Sequence, residues 1–308
     1  MKGNPQPPSA DVSPAPEAGN LSPEERIAIK RRLLYQRLRQ VDTLASRMVI
    51  LPDGRRMFLR FTTAHRIEHM VHLVSFVLLA VTGLLQRFSY LSWVAYVASV
   101  LGGLEKLRAV HRVAAIALAL TSVYHVWEIL DIWFVKREKG PMWPRLQDFK
   151  DLWQNVKYNL GLADHRPQYD RFSIEEKMEY WALLWGTLLM GVTGLMMWWA
   201  EEITRVLPGW LIPVARALHG WEAVLAVLAI LTWHMYHVLV RTRNTSIFTG
   251  YMTEEEMKHE HPQEYRRILQ AYALRRKIWR ELLHLAEEEE ALRQRRAREQ
   301  VQAHVRPG

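Results

Sequence analysis

Histidines set near the ends of long apolar runs are the residues of this chain whose type and spacing could do chemistry. Residues 218–240, LHGWEAVLAVLAILTWHMYHVLV, carry His219 near one end and His234, 15 residues on, near the other. At helical rise that spacing is about 22 Å along the axis and about 60° around it. A second run, HRVAAIALALTSVYHVW, places His111 and His125 14 residues apart, about 21 Å of rise and about 40° off a common line. These separations match two levels within one bilayer. Polar side chains in hydrocarbon are costly and are kept chiefly where they bind or transfer something, although a single histidine can also be an ordinary hydrogen-bonded residue at a helix boundary. Four at two matched depths point to haem held between imidazoles, because a low-spin electron-transfer haem takes two axial nitrogens and leaves no open position for oxygen. Each ring's second nitrogen should then donate to a carbonyl, hydroxyl or carboxylate that fixes the tautomer.

The elements that must position these rings are visible in the hydropathy pattern. The mean hydropathy of −0.14 over 308 residues hides four apolar windows near 67–88, 110–135, 178–200 and 216–240, each long enough to cross about 30 Å of hydrocarbon. Spans of this kind must be helices, so the expected fold is all-α: a four-helix transmembrane bundle with two haems in its core and helical extensions outside it. Cysteine is absent, which excludes disulfides, thiolate metal sites, iron-sulfur clusters and covalent haem attachment within the chain. The formal charge of +9 sits in segments flanking the spans rather than in a separate basic domain, so it reads as a topology signal and not as a nucleic-acid surface. Eleven Lys and Arg lie between Glu24 and Arg66, three in the first connection, nine from Lys136 to Lys177 and two from Glu201 to Arg216. By the positive-inside rule both termini are expected in the cytoplasm, with Trp93, Trp133, Trp198, Trp199 and Trp210 near span ends.

Residues 1–23, rich in Pro, Ser, Ala and Gly, are expected to be a disordered tail. A basic cytoplasmic segment follows over 24–66, the bundle over 67–240 and a charged helical tail over 241–308. In that tail Leu269, Tyr272, Leu274, Ile278, Leu282 and Leu285 form an interrupted apolar stripe suited to docking on the membrane surface or a neighbouring subunit, or to a solvated helix. An internal duplication is also legible. Leu-Leu-Ala-Val-Thr-Gly83-Leu matches Leu-Leu-Met-Gly-Val-Thr-Gly194-Leu, Arg66-Ile-Glu-His69 matches Lys177-Met-Glu-Tyr180, and His111/His125 match His219/His234, at offsets of 108 to 111 residues. Two related helix pairs would then face each other across the core. Gly83, Gly191 and Gly194 would let a flat macrocycle or a neighbouring helix approach. By depth His111 and His219 can share the outer haem, while His69 and His125 compete to partner His234, with His72 and His237 as weaker choices.

Taken together, Arg66-Ile-Glu-His69 leading to Val81-Thr-Gly83, His111, the segment Arg171 to Trp181, His219-Gly-Trp-Glu-Ala, Trp233-His234-Met-Tyr, and Thr253-Glu-Glu-Glu-Met with His261-Pro262 resemble a known family. They are similar to the dihaem cytochrome b subunits of membrane respiratory oxidoreductases: the formate dehydrogenase gamma subunit and its relatives in thiosulfate reductase and nickel-iron hydrogenase. The resemblance covers about Arg60 to Tyr265. It implies His69 with His234 on the cytoplasmic-side haem and His111 with His219 on the outer one, both haems noncovalent and b-type. His125 is the departure, since internal symmetry would instead pair it with His234. The resemblance further implies a bacterial inner-membrane subunit, not a complete enzyme by itself, that exchanges electrons between menaquinone or ubiquinone and an extracytoplasmic redox partner carrying iron-sulfur, molybdenum or multihaem c centres. Glu128, Asp131 and Tyr180 are the candidate quinone-site residues, with ion pairing at the headgroups as the other use of the two acids. Glu222 would act near the outer haem. The competing expectation is a haem-free membrane anchor or assembly subunit.

Overall fold

The computed structural model describes residues 21–137 and 140–305; the expected N-terminal tail lies almost wholly outside them. In chain order the elements are α1 (Pro23–Ala45), β1 (Met48–Ile50), β2 (Arg56–Leu59), α2 (Thr63–Arg87), α3 (Ser92–Val100), α4 (Gly103–Leu130), α5 (Leu146–Asn159), α6 (Ile174–Trp198), α7 (Ala200–Thr204), α8 (Leu211–Ala229), α9 (Ser246–Thr249), β3 (Tyr251–Thr253), α10 (Glu254–Glu260) and α11 (Pro262–Val305). Wider i→i+5 turns prolong α4 over Asp131–Val135 and α8 over Ile230–His234 and Tyr236–Arg241.

Among the described residues four helices are long and apolar enough to cross a membrane: Thr63–Arg87, Gly103–Val135, Ile174–Trp198 and Leu211–Arg241. They coincide with the four expected windows and begin a turn or more earlier. No more than 11 % of the residues in any of their apolar windows are buried by the protein itself. Surface of that kind is stable only where lipid covers it. The helices alternate in direction: α2 and α6 start at one end of the bundle, here called the base, and α4 and α8 start at the top.

The duplication is structural. An offset of 111 residues carries Thr63–Arg87 onto Ile174–Trp198. It also carries the caps onto one another: the Thr62 hydroxyl accepts from the His65 N–H at 3.3 Å and the Ser173 hydroxyl from the Glu176 N–H at 3.2 Å. Just before each cap the repeats are tied together at the base. Arg171 donates through Nη2 to the Arg60 carbonyl at 2.8 Å, and Arg60 donates in return to the Arg171 carbonyl. The Arg60 side chain is 1 % exposed and also meets Glu176 at 2.8 Å and Glu264 at 3.5 Å, Glu264 being 2 % exposed. A buried guanidinium is tolerated only with such neutralisation. The ring of Phe172 stacks beneath it at 4.5 Å.

A three-stranded sheet in the order β1-β2-β3 closes the base, with β2 antiparallel to β3 and Phe58 opposite Met252. Strands of three or four residues carry too little alternation to be legible in the sequence. Thr253 and Glu256 form a reciprocal cap that starts α10, which is the local reason for the Thr-Glu-Glu-Glu run.

The chain divides into two compact units, one of residues 49–266 and one combining residues up to 48 with those from 267 onward. In the second unit Ile27, Leu34 and Leu38 of α1 pack on Ile278, Leu282 and Leu285 of α11. The apolar stripe expected to dock on a membrane or another subunit is thus partly used within the chain, at about 1.5–3 kcal/mol for each side chain fully buried. Leu274 stays exposed, while Ile268 and Ala271 take buried positions.

His261 anchors the base beside Arg60. Its Nδ1–H donates to the Asp170 carbonyl at 2.8 Å, and burial, reinforced by the Arg60 charge, holds its pKa below the ordinary 6.5. The unfolded chain therefore takes up a proton near pH 6.5 that the folded protein resists. Stability should fall as pH drops below about 6.5, and His261→Gln should flatten that slope in denaturant titrations of the detergent-solubilised protein between pH 7.5 and 5.

Candidate functional site

At the top of the bundle the two repeats build the same arrangement twice. Thr82 of α2 donates its hydroxyl proton to the Leu78 carbonyl one turn back, at 2.6 Å, and lies 2.9 Å from His111 Nδ1 on α4. Thr193 of α6 donates to the Leu189 carbonyl at 2.7 Å and lies 3.0 Å from His219 Nδ1 on α8. A hydroxyl has one proton. Once it is given to the helix backbone, the oxygen can only accept, so each imidazole must carry its proton on Nδ1. Both rings are thereby left with an Nε2 lone pair.

Glycine admits the rings. A Cβ added at Gly83 would stand 3.2 Å from His111 Cε1, and one added at Gly194 would stand 3.3 Å from His219 Cε1. Gly191 has no neighbour within 4 Å at its Cβ position, so of the three candidate glycines only these two accommodate histidine. The His111 and His219 ring centres are 6.3 Å apart with planes at 62°. Two imidazoles sharing one metal atom at about 2 Å per bond, plus roughly one ångström from each nitrogen to its ring centre, come to about the same separation. An edge-to-face pair also falls in this range. The fixed tautomers decide what the pair offers, namely two unprotonated nitrogens rather than a hydrogen-bonded couple. Two cations flank this level, Arg87 over Trp221 at 5.2 Å and Arg112 over Trp198 at 4.8 Å. Glu222 Oε1 lies against Gly186 of α6, 3.0 Å from where a Cβ would stand.

The base holds the other histidines. His234 Nδ1 donates to Glu179 Oε2 at 3.0 Å, and His69 lies near His234. His69 Nδ1 is buried without a hydrogen-bond partner among the described residues. His125 is differently engaged: its Nδ1 lies 2.7 Å from Glu68 Oε1, and its Nε2 lies 2.9 Å from the Tyr180 hydroxyl. The 111-residue offset relates Glu68 to Glu179 and His69 to Tyr180, so the base too contains one design in two copies. His72 and His237 each point Nδ1 at the carbonyl one turn back, Glu68 at 3.0 Å and Trp233 at 2.8 Å.

Among the acids, Glu128 joins Glu68 and His125 in a cluster whose ligand atoms lie within 4.8 Å of one another, and His65 approaches Glu128 at 3.7 Å. Asp131 stands apart from that cluster, paired with Lys136 at 2.7 Å, the second of the two uses considered for it. A largely apolar groove of about 940 Å³ runs between α2 and α4, lined by residues such as Ile67, Val74, Leu78, Val113 and Ala117 and reaching Arg66 and Phe248 at the base.

The spacing difference between the two histidine pairs also has a structural cause. His111 and His125 are 14 residues apart, His219 and His234 15. The wider turns over Ile230–His234 take up the additional residue, since i→i+5 bonding places one more residue in a turn. His234 therefore meets Glu179 as His125 meets Glu68, and the 60° offset expected from an ideal helix does not apply.

Thr82, Thr193, Glu68 and Glu179 were not singled out from the sequence, although all four lie inside the repeated motifs. The signal was their recurrence at the 111-residue offset, next to Gly83, Gly194, His69 and Tyr180.

Removing a threonine acceptor should strand a buried imidazole N–H, at about 1–3 kcal/mol. We expect Thr82→Val and Thr193→Val each to lower unfolding stability in detergent by that amount, with Thr→Ser at either position nearly neutral.

Comparison with known proteins gives one family. Residues 60–250 match the model described as prokaryotic cytochrome b561. No curated protein matches the chain at a significant level.

Proposed function

The chain belongs to the prokaryotic cytochrome b561 family, a membrane protein with b-type haem that transfers electrons, and from that premise we propose that it is the dihaem subunit of a quinone-linked respiratory complex. The observation that carries this reading is the paired Thr-Gly-His arrangement at the top. Its two tautomer-fixed imidazoles face each other across the core and fit a bis-histidine haem. His111 and His219 are the ligands there. At the base we assign His69 and His234, because His125 Nε2 is already held by the Tyr180 hydroxyl at 2.9 Å and its Nδ1 lies 2.7 Å from the Glu68 carboxylate, whereas no carboxylate or hydroxyl meets His69 Nδ1 among the described residues. When bound, the haems supply one-electron carriers at two heights, about 20 Å apart at helical rise.

The residues of this chain bind, orient and manage protons. Thr82 and Thr193 aim the top imidazoles, and Glu179 aims His234. We propose that a quinone or quinol head group docks at the base beside Tyr180, His125, Glu68 and Glu128. With Tyr180 donating to His125 Nε2, the imidazole proton sits on Nδ1, 2.7 Å from Glu68 Oε1, so a proton arriving at Tyr180 can leave at Glu68. Glu128, 27 % exposed at its side chain and near His65, connects this relay to water. Asp131 contributes surface pairing instead of proton transfer. The basic segments flanking the base support a cytoplasmic location for it and for both termini. The top then faces a partner outside the cytoplasm, a subunit bearing iron-sulfur, molybdenum or multihaem c centres.

Haem counting tests the ligands. Purified protein should show two b-type haems per chain in reduced-minus-oxidised spectra. His111→Ala or His219→Ala should each remove one, His69→Ala should remove the other, and His125→Ala should keep both. Loss of a haem in His125→Ala with full retention in His69→Ala would reverse the base assignment.

Glu128→Gln and Tyr180→Phe test the proton relay. Each is expected to slow the rate of haem reduction by a quinol analogue about 10²-fold or more, the usual contribution of a positioned acid or base, with both haems retained. An undiminished rate in both variants would remove the relay from the mechanism.

A further inference from the structure

The two levels hold their imidazoles by chemically different partners. At the top both Nδ1 atoms face neutral threonine hydroxyls, at 2.9 and 3.0 Å. At the base His234 Nδ1 faces the Glu179 carboxylate at 3.0 Å, and His69 Nδ1 has no acceptor at all among the described residues. A second imidazole near Glu179 does not draw on it strongly: His237 Nδ1 is 3.8 Å from Glu179 Oε1 and donates instead to the Trp233 carbonyl at 2.8 Å.

We propose that Glu179 is a positioning residue that sets the base haem at a lower reduction potential than the top haem, acting through His234. This inference rests on the bis-histidine reading given above. A carboxylate accepting from Nδ1–H makes a charge-assisted hydrogen bond, roughly twice as strong as one to a neutral acceptor. It draws the proton outward and leaves more electron density on Nε2, the nitrogen facing the metal. A more basic ligand stabilises the oxidised iron relative to the reduced one. A threonine oxygen fixes the same tautomer without that push. The i→i+5 turns over Ile230–His234 matter here because they bring His234 to the carboxylate despite the additional residue in its helix. The functional consequence is a gradient: an electron placed at the base is passed to the top with a favourable equilibrium, no bond being made or broken and no proton moving with it.

Potentiometric titration of the haem-loaded full-length protein in nanodiscs tests this. Two one-electron components are expected, the lower of which disappears in His69→Ala. In Glu179→Gln the lower component should rise by about 59 mV, a tenfold change in its one-electron equilibrium, while the higher component stays in place. Should Glu179→Gln lose the base haem, Glu179→Asp gives the reading: withdrawing the carboxylate by one methylene should raise the lower component by a smaller amount. An unmoved lower component in the variant that retains haem, or equal shifts of both components, would overturn the role of Glu179 while leaving the two-haem reading intact. A parent protein with fewer than two haems would overturn that reading and this inference with it.

Discussion

A threonine hydroxyl inside a membrane helix has one proton to give, and its own backbone is the nearest acceptor. Thr82 and Thr193 both spend it there. The oxygen becomes a pure acceptor in a medium where few other acceptors exist, and an imidazole across the helix interface can meet it only with an N–H. Everything at the top of the bundle follows from that constraint. The tautomer is fixed without a charged group, Nε2 is left unprotonated, and glycine at the next residue gives the ring edge room that a Cβ, 3.2 or 3.3 Å away, would crowd. Thr-Gly in both repeats is thus a single device for presenting an unprotonated nitrogen in hydrocarbon.

The constraint operates twice because the chain is duplicated, and the halves are registered at the base. Arg60 and Arg171 donate to one another's carbonyls, and buried Glu264 pairs with both guanidinium groups. Removing either arginine alone would leave buried Glu264 with one guanidinium instead of two and break one of the two carbonyl hydrogen bonds between the repeats. That makes the crosslink a specification of how the two helix pairs start, and therefore of the depth at which each histidine ends. A slip of one residue in either repeat would rotate its threonine by about 100° and move it by about 1.5 Å, which would lose the imidazole.

Much of this was legible in the sequence, because membrane spans announce themselves by length and polarity and because repeated polar residues in apolar runs have few structural uses. The four windows, the repeat offsets and the pairing of His111 with His219 by depth all follow from spacing alone. Other features depend on contacts that spacing does not encode. Thr82 and Glu179 sit inside motifs that were noticed for their glycine and tyrosine, since a hydroxyl or carboxylate reveals its partner only once a second helix is in place. The wider turns before His234 leave no compositional trace, so an ideal helix misplaces that ring. The stripe on α11 reads as a docking face because nothing local says that α1, more than two hundred residues earlier, supplies the complementary leucines. Strands as short as Met48–Ile50 and Tyr251–Thr253 acquire meaning only by pairing with β2.

The base shows how duplication permits divergence. Each copy sets a glutamate against a histidine, Glu68 with His125 and Glu179 with His234, at 2.7 and 3.0 Å. The residue at the equivalent position differs: Tyr180 hydrogen-bonds to His125 Nε2 at 2.9 Å, whereas its counterpart in the other repeat is His69. A phenol is a proton donor and acceptor with little affinity for iron, and an imidazole is the reverse when its outer nitrogen is held. One substitution at an equivalent position therefore separates the two roles that the proposed function needs at the same depth, a metal ligand on one side and a proton path on the other. The glutamates suit both. In the proposed function the Glu68 carboxylate would receive a proton beside His125, and the Glu179 carboxylate would hold the His234 proton on Nδ1, so the same residue type would serve proton transfer in one copy and ligand orientation in the other.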